Sequence, residues 1–151
     1  MKYDDASWHY GGDFPADLPP SAGVTHIAMF AVWCWENGLA GDEILEEADA
    51  LEAIKRRRGT PGGIFNKASD EKFIDADLND EGNRFAASYY GDQGYYIDYA
   101  KSVGATFSTL YHVPDTWETY DTLKPVISHR YRTFHNMQKS WWRRLWPIAK
   151  Q

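Results

Sequence analysis

Cysteine is almost missing from this chain. Cys34 is the single one among 151 residues, so neither an internal disulfide framework nor a cysteine-rich zinc site can form. Long apolar runs are missing as well. The longest, Ile27 to Trp35, has nine residues, against the roughly 20 that a membrane-spanning helix needs. The first residues, Met1-Lys2-Tyr3-Asp4-Asp5, lack the apolar stretch of a secretory signal. Together these absences predict a soluble protein of a reducing compartment, the cytoplasm. No internal repeat and no low-complexity block occurs, and 151 residues are most simply one domain, residues 1–151.

The reaction motifs are missing too. The histidines are His9, His26, His112, His129 and His135. No two lie four apart as in H-E-x-x-H, and Gly11-Gly12 and Gly62-Gly63 fit no phosphate-binding loop and read as turns. No G-x-S-x-G elbow is present. Cys34, between Trp33 and Trp35, reads as a small inert hydrophobe, two helical turns from His26. The best local group of oxygen and nitrogen donors is His9 with Asp4, Asp5 and Asp13. Hydrogen bonds that hold a loop together explain it more simply than a metal does. The expectation is therefore no catalytic residues, no metal and no cofactor.

Aromatic residues are abundant, 16% of the chain, which argues for a folded protein. They are concentrated in the opening, Tyr3-Asp-Asp-Ala-Ser-Trp-His-Tyr-Gly-Gly-Asp-Phe-Pro15. Pro15, Pro19 and Pro20 break periodic structure, so residues 1–20 read as an ordered aromatic loop docked on the domain. The remainder reads as mainly α, a bundle of five or six helices with at most a minor strand. Helix one, about Ser21 to Asn37, is apolar all round and hence central. Helix two, about Asp42 to Arg58, is amphipathic, with acids first and bases last, as the helix dipole favours. Pro61-Gly62-Gly63 reads as a turn, and a less regular region with room for a short helix follows, Ile64 to Leu78. Asn79 is a plausible N-cap for a helix carrying Phe85, Ala86, Tyr89 and Tyr90. Tyr95 to Val103 forms another helix, and Thr106 to Val113 is a short strand or a connector. Asp115-x-x-Glu118 reads as a capping box for a long helix that Pro125 should kink or split. In the tail, Trp141, Trp142 and Trp146 are expected to pack back on the domain while Arg143 and Arg144 stay in water.

Charge is uneven. Residues 1–81 carry 17 acids and 7 bases, a balance of −10, and residues 82–151 carry 5 acids and 9 bases, a balance of +4, for a net −6. Solubility is the plain explanation. The functional one is an acidic face that repels nucleic acid and attracts a basic protein. Neither nucleic acid nor membrane is expected as a partner.

The Tyr3–Pro15 segment, followed by Thr25-His26-Ile27 and Trp33, with Tyr89-Tyr90, Asp98-Tyr99 and Asp115-Thr-Trp-Glu118 later, resembles an uncharacterised bacterial family of about this length. Genes of that family lie near polymorphic or type VI secreted toxins. The resemblance covers most of the chain and implies an immunity protein that binds and neutralises a cognate toxin, of which a nuclease is one case. It supplies no catalytic residues. On this reading Asp42, Glu43, Glu46, Glu47 and Asp49 would meet a basic toxin surface, and Trp8 and Tyr10 would anchor it. The alternatives are a small hydrolase using His9 and the carboxylates of the N-terminal loop, or a structural or oligomerisation domain; the oligomeric state stays open.

Overall fold

The computed structural model describes residues 1–145. The chain forms one compact, mainly helical domain, with seven α-helices and a two-stranded sheet among the described residues. The elements are β1 (Lys2–Asp5), α1 (Thr25–Glu36), α2 (Asp42–Glu46), α3 (Ala48–Arg56), α4 (Pro61–Ser69), β2 (Lys72–Ile74), α5 (Asp80–Tyr89), α6 (Gly94–Tyr99) and α7 (Trp117–Leu145).

Helix α1 is the axis of the domain. Every residue from Thr25 to Trp35 is buried, as expected for a helix with no polar face. Around Phe30 lie the rings of Phe73, Phe85, Tyr89, Tyr90 and Tyr95, with centroids 5.1 to 6.0 Å away. Those rings come from β2, α5 and α6, so a single side chain ties three distant segments together. Phe30→Ala would remove that junction, at the ~3–5 kcal/mol typical of a core Phe truncation. Cys34 is fully buried beside it, and burial raises its thiol pKa well above the ordinary value. That suits an inert packing residue.

Several boundaries differ from the sequence reading, each for a local reason. The N-terminal segment is not all loop, because Lys2–Asp5 pairs antiparallel with Lys72–Ile74, with an irregularity between Lys2 and Asp4. Helix one starts at Thr25, after a 3-10 turn over Pro20–Gly23. Helix two is two helices, since Glu47 leaves helical geometry at ψ 62°. Pro61 opens α4 instead of a turn: Thr60 accepts the Gly63 N–H at 3.1 Å, and proline occupies the first helical position. That extra helix and the split at Glu47 account for seven helices instead of five or six. Residues 110–112 form a 3-10 turn and not a strand. Asp115 does not cap α7. Thr116 takes that role, accepting the Thr119 N–H at 3.2 Å, while Asp115 accepts the Gly62 N–H at 2.8 Å and braces the start of α4. Helix α7 runs unbroken through Pro125, which leaves the Asp121 carbonyl without its helical N–H donor. Trp141 lies on α7 and is 62% exposed. The expectations for Trp142, Arg143, Arg144 and Trp146 lie outside what is described. Asn79 caps α5 as expected, accepting the Gly82 N–H at 2.9 Å.

Candidate functional site

Five segments converge on the side chain of Asp4. Strand pairing carries Asp4 inward until it is 4% exposed. Asp5, next along, caps a 3-10 turn over Ala6–His9 by accepting the Ser7 N–H at 2.9 Å. That turn folds His9 back over Asp4, so that His9 Nε2 lies 2.8 Å from Asp4 Oδ1. The first turn of α1 contributes His26, whose Nε2 is 3.4 Å from Asp4 Oδ2. Tyr90, just past α5, donates its hydroxyl to Oδ2 at 2.5 Å, and Tyr96 of α6 donates to the same oxygen at 3.2 Å. The Tyr96 hydroxyl also lies 2.7 Å from His26 Nε2. Tyr111, in the 110–112 turn, holds the far nitrogen of His9, with its hydroxyl 2.9 Å from Nδ1. The two imidazoles meet edge to face, with centroids 4.6 Å apart at 80°.

The electrostatics follow from this packing. Burial alone would push the Asp4 carboxyl up, but hydrogen bonds from His26, His9 and Tyr90 outweigh it and hold the group well below the usual carboxylate range. Asp4 is thus an ionised carboxylate in the interior, stabilised by polar partners. Burial pushes His26 below the ordinary imidazole value, against the pull of Asp4. Burial likewise raises the phenols of Tyr90, Tyr96 and Tyr111, so they remain protonated donors. His9 lies at the rim, with its side chain 16% exposed. It faces a cleft of about 450 Å³ lined by Trp8, Tyr90, Gln93 and Tyr96 among others. Trp8, 60% exposed, forms one wall.

Chemically, this arrangement offers a carboxylate–imidazole pair open to solvent on one side. It also offers three metal-type ligands: Asp4, His9 and His26 can present one atom each within 4.8 Å of one another. The sequence grouping of His9 with Asp4, Asp5 and Asp13 is therefore one-third right. Asp4 is the partner, whereas Asp5 is engaged by Ser7 and by Lys2 at 2.6 Å. His26, Tyr90, Tyr96 and Tyr111 were missed. His26 carried a readable signal, as the only imidazole in an otherwise apolar helix.

The proposed partner-binding residues fall elsewhere, except Trp8. Asp42, Glu43, Glu46, Glu47 and Asp49 are all exposed along α2 and the start of α3. None of them is in a salt bridge with a described residue. Leu45 sits among them at 56% exposure. Alongside runs a groove of about 480 Å³ edged by Asp42, Asp80, Glu81 and Arg84. Tyr10 does not fit the role of a free anchor. It is half-buried, and its hydroxyl donates to Glu71 at 2.9 Å.

Comparison with known proteins assigns a family. The profile of a domain of unknown function, DUF7832, matches residues 2–113. The chain belongs to that family. All six residues of the Asp4 cluster lie within the matched span, while α7 lies beyond it. No curated protein and no solved structure is significantly similar to the chain. The family description names no function.

Among the described residues, no helix is long and apolar enough to cross a membrane.

Proposed function

We propose that this protein is an immunity protein, which neutralises a cognate bacterial toxin by covering a basic active-site surface with the acidic face of α2 and α3. The observation that supports this reading is the run of five exposed, unpaired acids around exposed Leu45. Acids neutralised by neighbouring bases would serve solubility alone. Unpaired acids beside an apolar side chain provide long-range attraction and a patch to desolvate, the two ingredients of a fast, tight interface. A nuclease toxin, with a basic groove for its phosphate backbone, is the partner such a face fits best. The test is co-expression with the product of each gene flanking this one, followed by association kinetics on any purified pair. Protection and complex formation are expected. Reversing Glu43, Glu46 and Glu47 to Lys should slow association about tenfold or more at low salt, because steering by rim charges acts on the on-rate. Absence of both protection and a complex would overturn the reading.

One observation favours a second reading, a small hydrolase. The Asp4–His9 pair opens onto a cleft and has the orientation of a general base held by its carboxylate. Asp4, not Asp5, would hold His9. Turnover on a panel of ester, amide and phosphoester substrates, abolished by His9→Ala, would establish it.

A further inference from the structure

We infer that Asp4, His9 and His26 form a binding site for a divalent transition metal of the zinc class, with its open coordination position facing the cleft beside Trp8. This goes beyond the toxin-binding reading and is independent of it.

Geometry carries the inference. Ligand atoms at zinc distances of roughly 2.0–2.1 Å, in a tetrahedral arrangement, lie about 3.4 Å from one another. Here His26 Nε2 is 3.4 Å and His9 Nε2 2.8 Å from Asp4 oxygens, and all three donor atoms lie within 4.8 Å of one another. An ion entering between them needs adjustments of about an ångström or less at the carboxylate, within the reach of side-chain torsions. The donor set, two imidazoles and one carboxylate, suits zinc and other first-row divalent ions and leaves room for water or a ligand. Both oxygens of Asp4 are engaged, so the carboxylate is already fixed in place.

Around His9 the groups match what a metal site requires, while at His26 the Tyr96 hydroxyl, 2.7 Å from Nε2, is the contact that the ion displaces. A histidine that ligates through Nε2 carries its proton on Nδ1 and gives it to an acceptor. His9 Nδ1 faces the Tyr111 hydroxyl at 2.9 Å, so Tyr111 can accept that proton and set the tautomer. On loading, the ion takes the place of the His9 proton at Nε2, the neutral ring carries its one proton on Nδ1 instead, and Tyr111 turns from donor to acceptor. Tyr90 and Tyr96 continue to hold Asp4 Oδ2. Of the two imidazoles, His26 is buried and His9 sits at the rim, which gives the ion an entry path from the cleft. His112 with Asp17 and His135 with Glu81 are single imidazole–carboxylate pairs on the surface, without a third ligand.

The test uses the full chain, stripped with chelator and titrated with Zn²⁺ by calorimetry and with Co²⁺ by absorption. One equivalent of tight binding and intense tetrahedral Co²⁺ bands are expected. His9→Ala should weaken Zn²⁺ binding about 100-fold or more, and Tyr111→Phe about tenfold, as loss of a ligand and of an outer partner do. His112→Ala should leave it unchanged. His9 lies at the rim, so its variant should stay folded, which circular dichroism checks; Tyr111→Phe supplies a second folded variant. No stoichiometric binding, or the same affinity in His9→Ala as in the unmodified protein, would overturn the inference.

Discussion

Replacing Asp4 by Asn tests whether the buried carboxylate holds the N-terminal strand in place. The Asp4 side chain is 6% exposed. Its Oδ1 accepts the Asp5 N–H at 2.8 Å and faces His9, while Oδ2 accepts two tyrosine hydroxyls and faces His26. Asn keeps one oxygen, so it preserves the Oδ1 contacts and loses the Oδ2 ones, putting an NH₂ opposite two hydroxyls that were donors. Hydrogen bonds to a charged group contribute about 1.5–3 kcal/mol each, and Tyr90, left without an acceptor, is buried. Losses at one oxygen are not additive, so the net cost is about 3–5 kcal/mol, the range for breaking a buried ionic network. For a chain of this length that lowers Tm by roughly 6–20 °C. The assay is urea unfolding with chelator present, so that a bound ion does not enter the comparison. A lower midpoint at unchanged slope is the expected signature. Asp5→Asn is the matched control. Asp5 is held near pKa 2 by Lys2 and Ser7, and an Asn there still caps the 3-10 turn, so about 1 kcal/mol or less is lost. If Asp4→Asn costs no more than Asp5→Asn, the carboxylate is not the hub described here.

Two further predictions concern buried polar groups. The Tyr99 hydroxyl is buried and finds no hydrogen-bond partner among the described residues. Tyr99→Phe should therefore stabilise the protein by about 1 kcal/mol, read as a rise in Tm; a loss of that size would show that the hydroxyl is satisfied. Asp77 has its carboxyl pushed up to about 6 by burial, although the Ile74 N–H and Ser69 hydroxyl hold it down in part. Its folded pKa exceeds the ordinary aspartate value, so folding favours the protonated form. The stability it contributes is complete below about pH 4 and is lost as pH rises through about 6, a change of about 2–3 kcal/mol at 1.36 kcal/mol per unit. Asp77→Asn is neutral throughout. Its stability relative to the unmodified protein should thus improve by that amount between pH 4 and pH 7, and a pH-independent difference would contradict the assignment.

What the sequence revealed of the fold was whatever depends on neighbours in the chain. Helix α1 was legible because Val24 to Trp35 leaves no polar face, and α5 because Asn79 precedes two acids. The start of α4 was equally legible, since Thr60-Pro61 is an N-cap followed by proline at the first helical position, but Gly62-Gly63 drew the reading towards a turn. The break at Glu47 was not legible, because nothing in D-E-I-L-E-E-A-D opposes a continuous helix; packing of α2 against residues 75–77 and of α3 against α4 decides it. Pairing of β1 with β2 spans some seventy residues and sets the position of Asp4. The Asp4 cluster depends on that pairing, and so a single sequence could show His9 beside acids without showing which acid it meets.

The polar cluster and the acidic face put different demands on the protein. A binding surface needs a rigid scaffold, and apolar residues supply rigidity without desolvating a charge; replacing a buried ionic group by well-packed apolar residues is often neutral or stabilising by about 1–4 kcal/mol. An ionised Asp4 in the interior is thus a poor device for stability alone. Fixing the register of β1 would justify Asp4 and the two tyrosines that bond it. It would not justify Tyr111, whose hydroxyl bonds the outer nitrogen of His9. Holding both nitrogens of a rim imidazole orients that ring towards the cleft, and orientation matters where something binds. The residues that distinguish a structural knot from a ligand site are therefore His9, at the rim, and Tyr111, whose hydroxyl reaches Asp4 only through that ring.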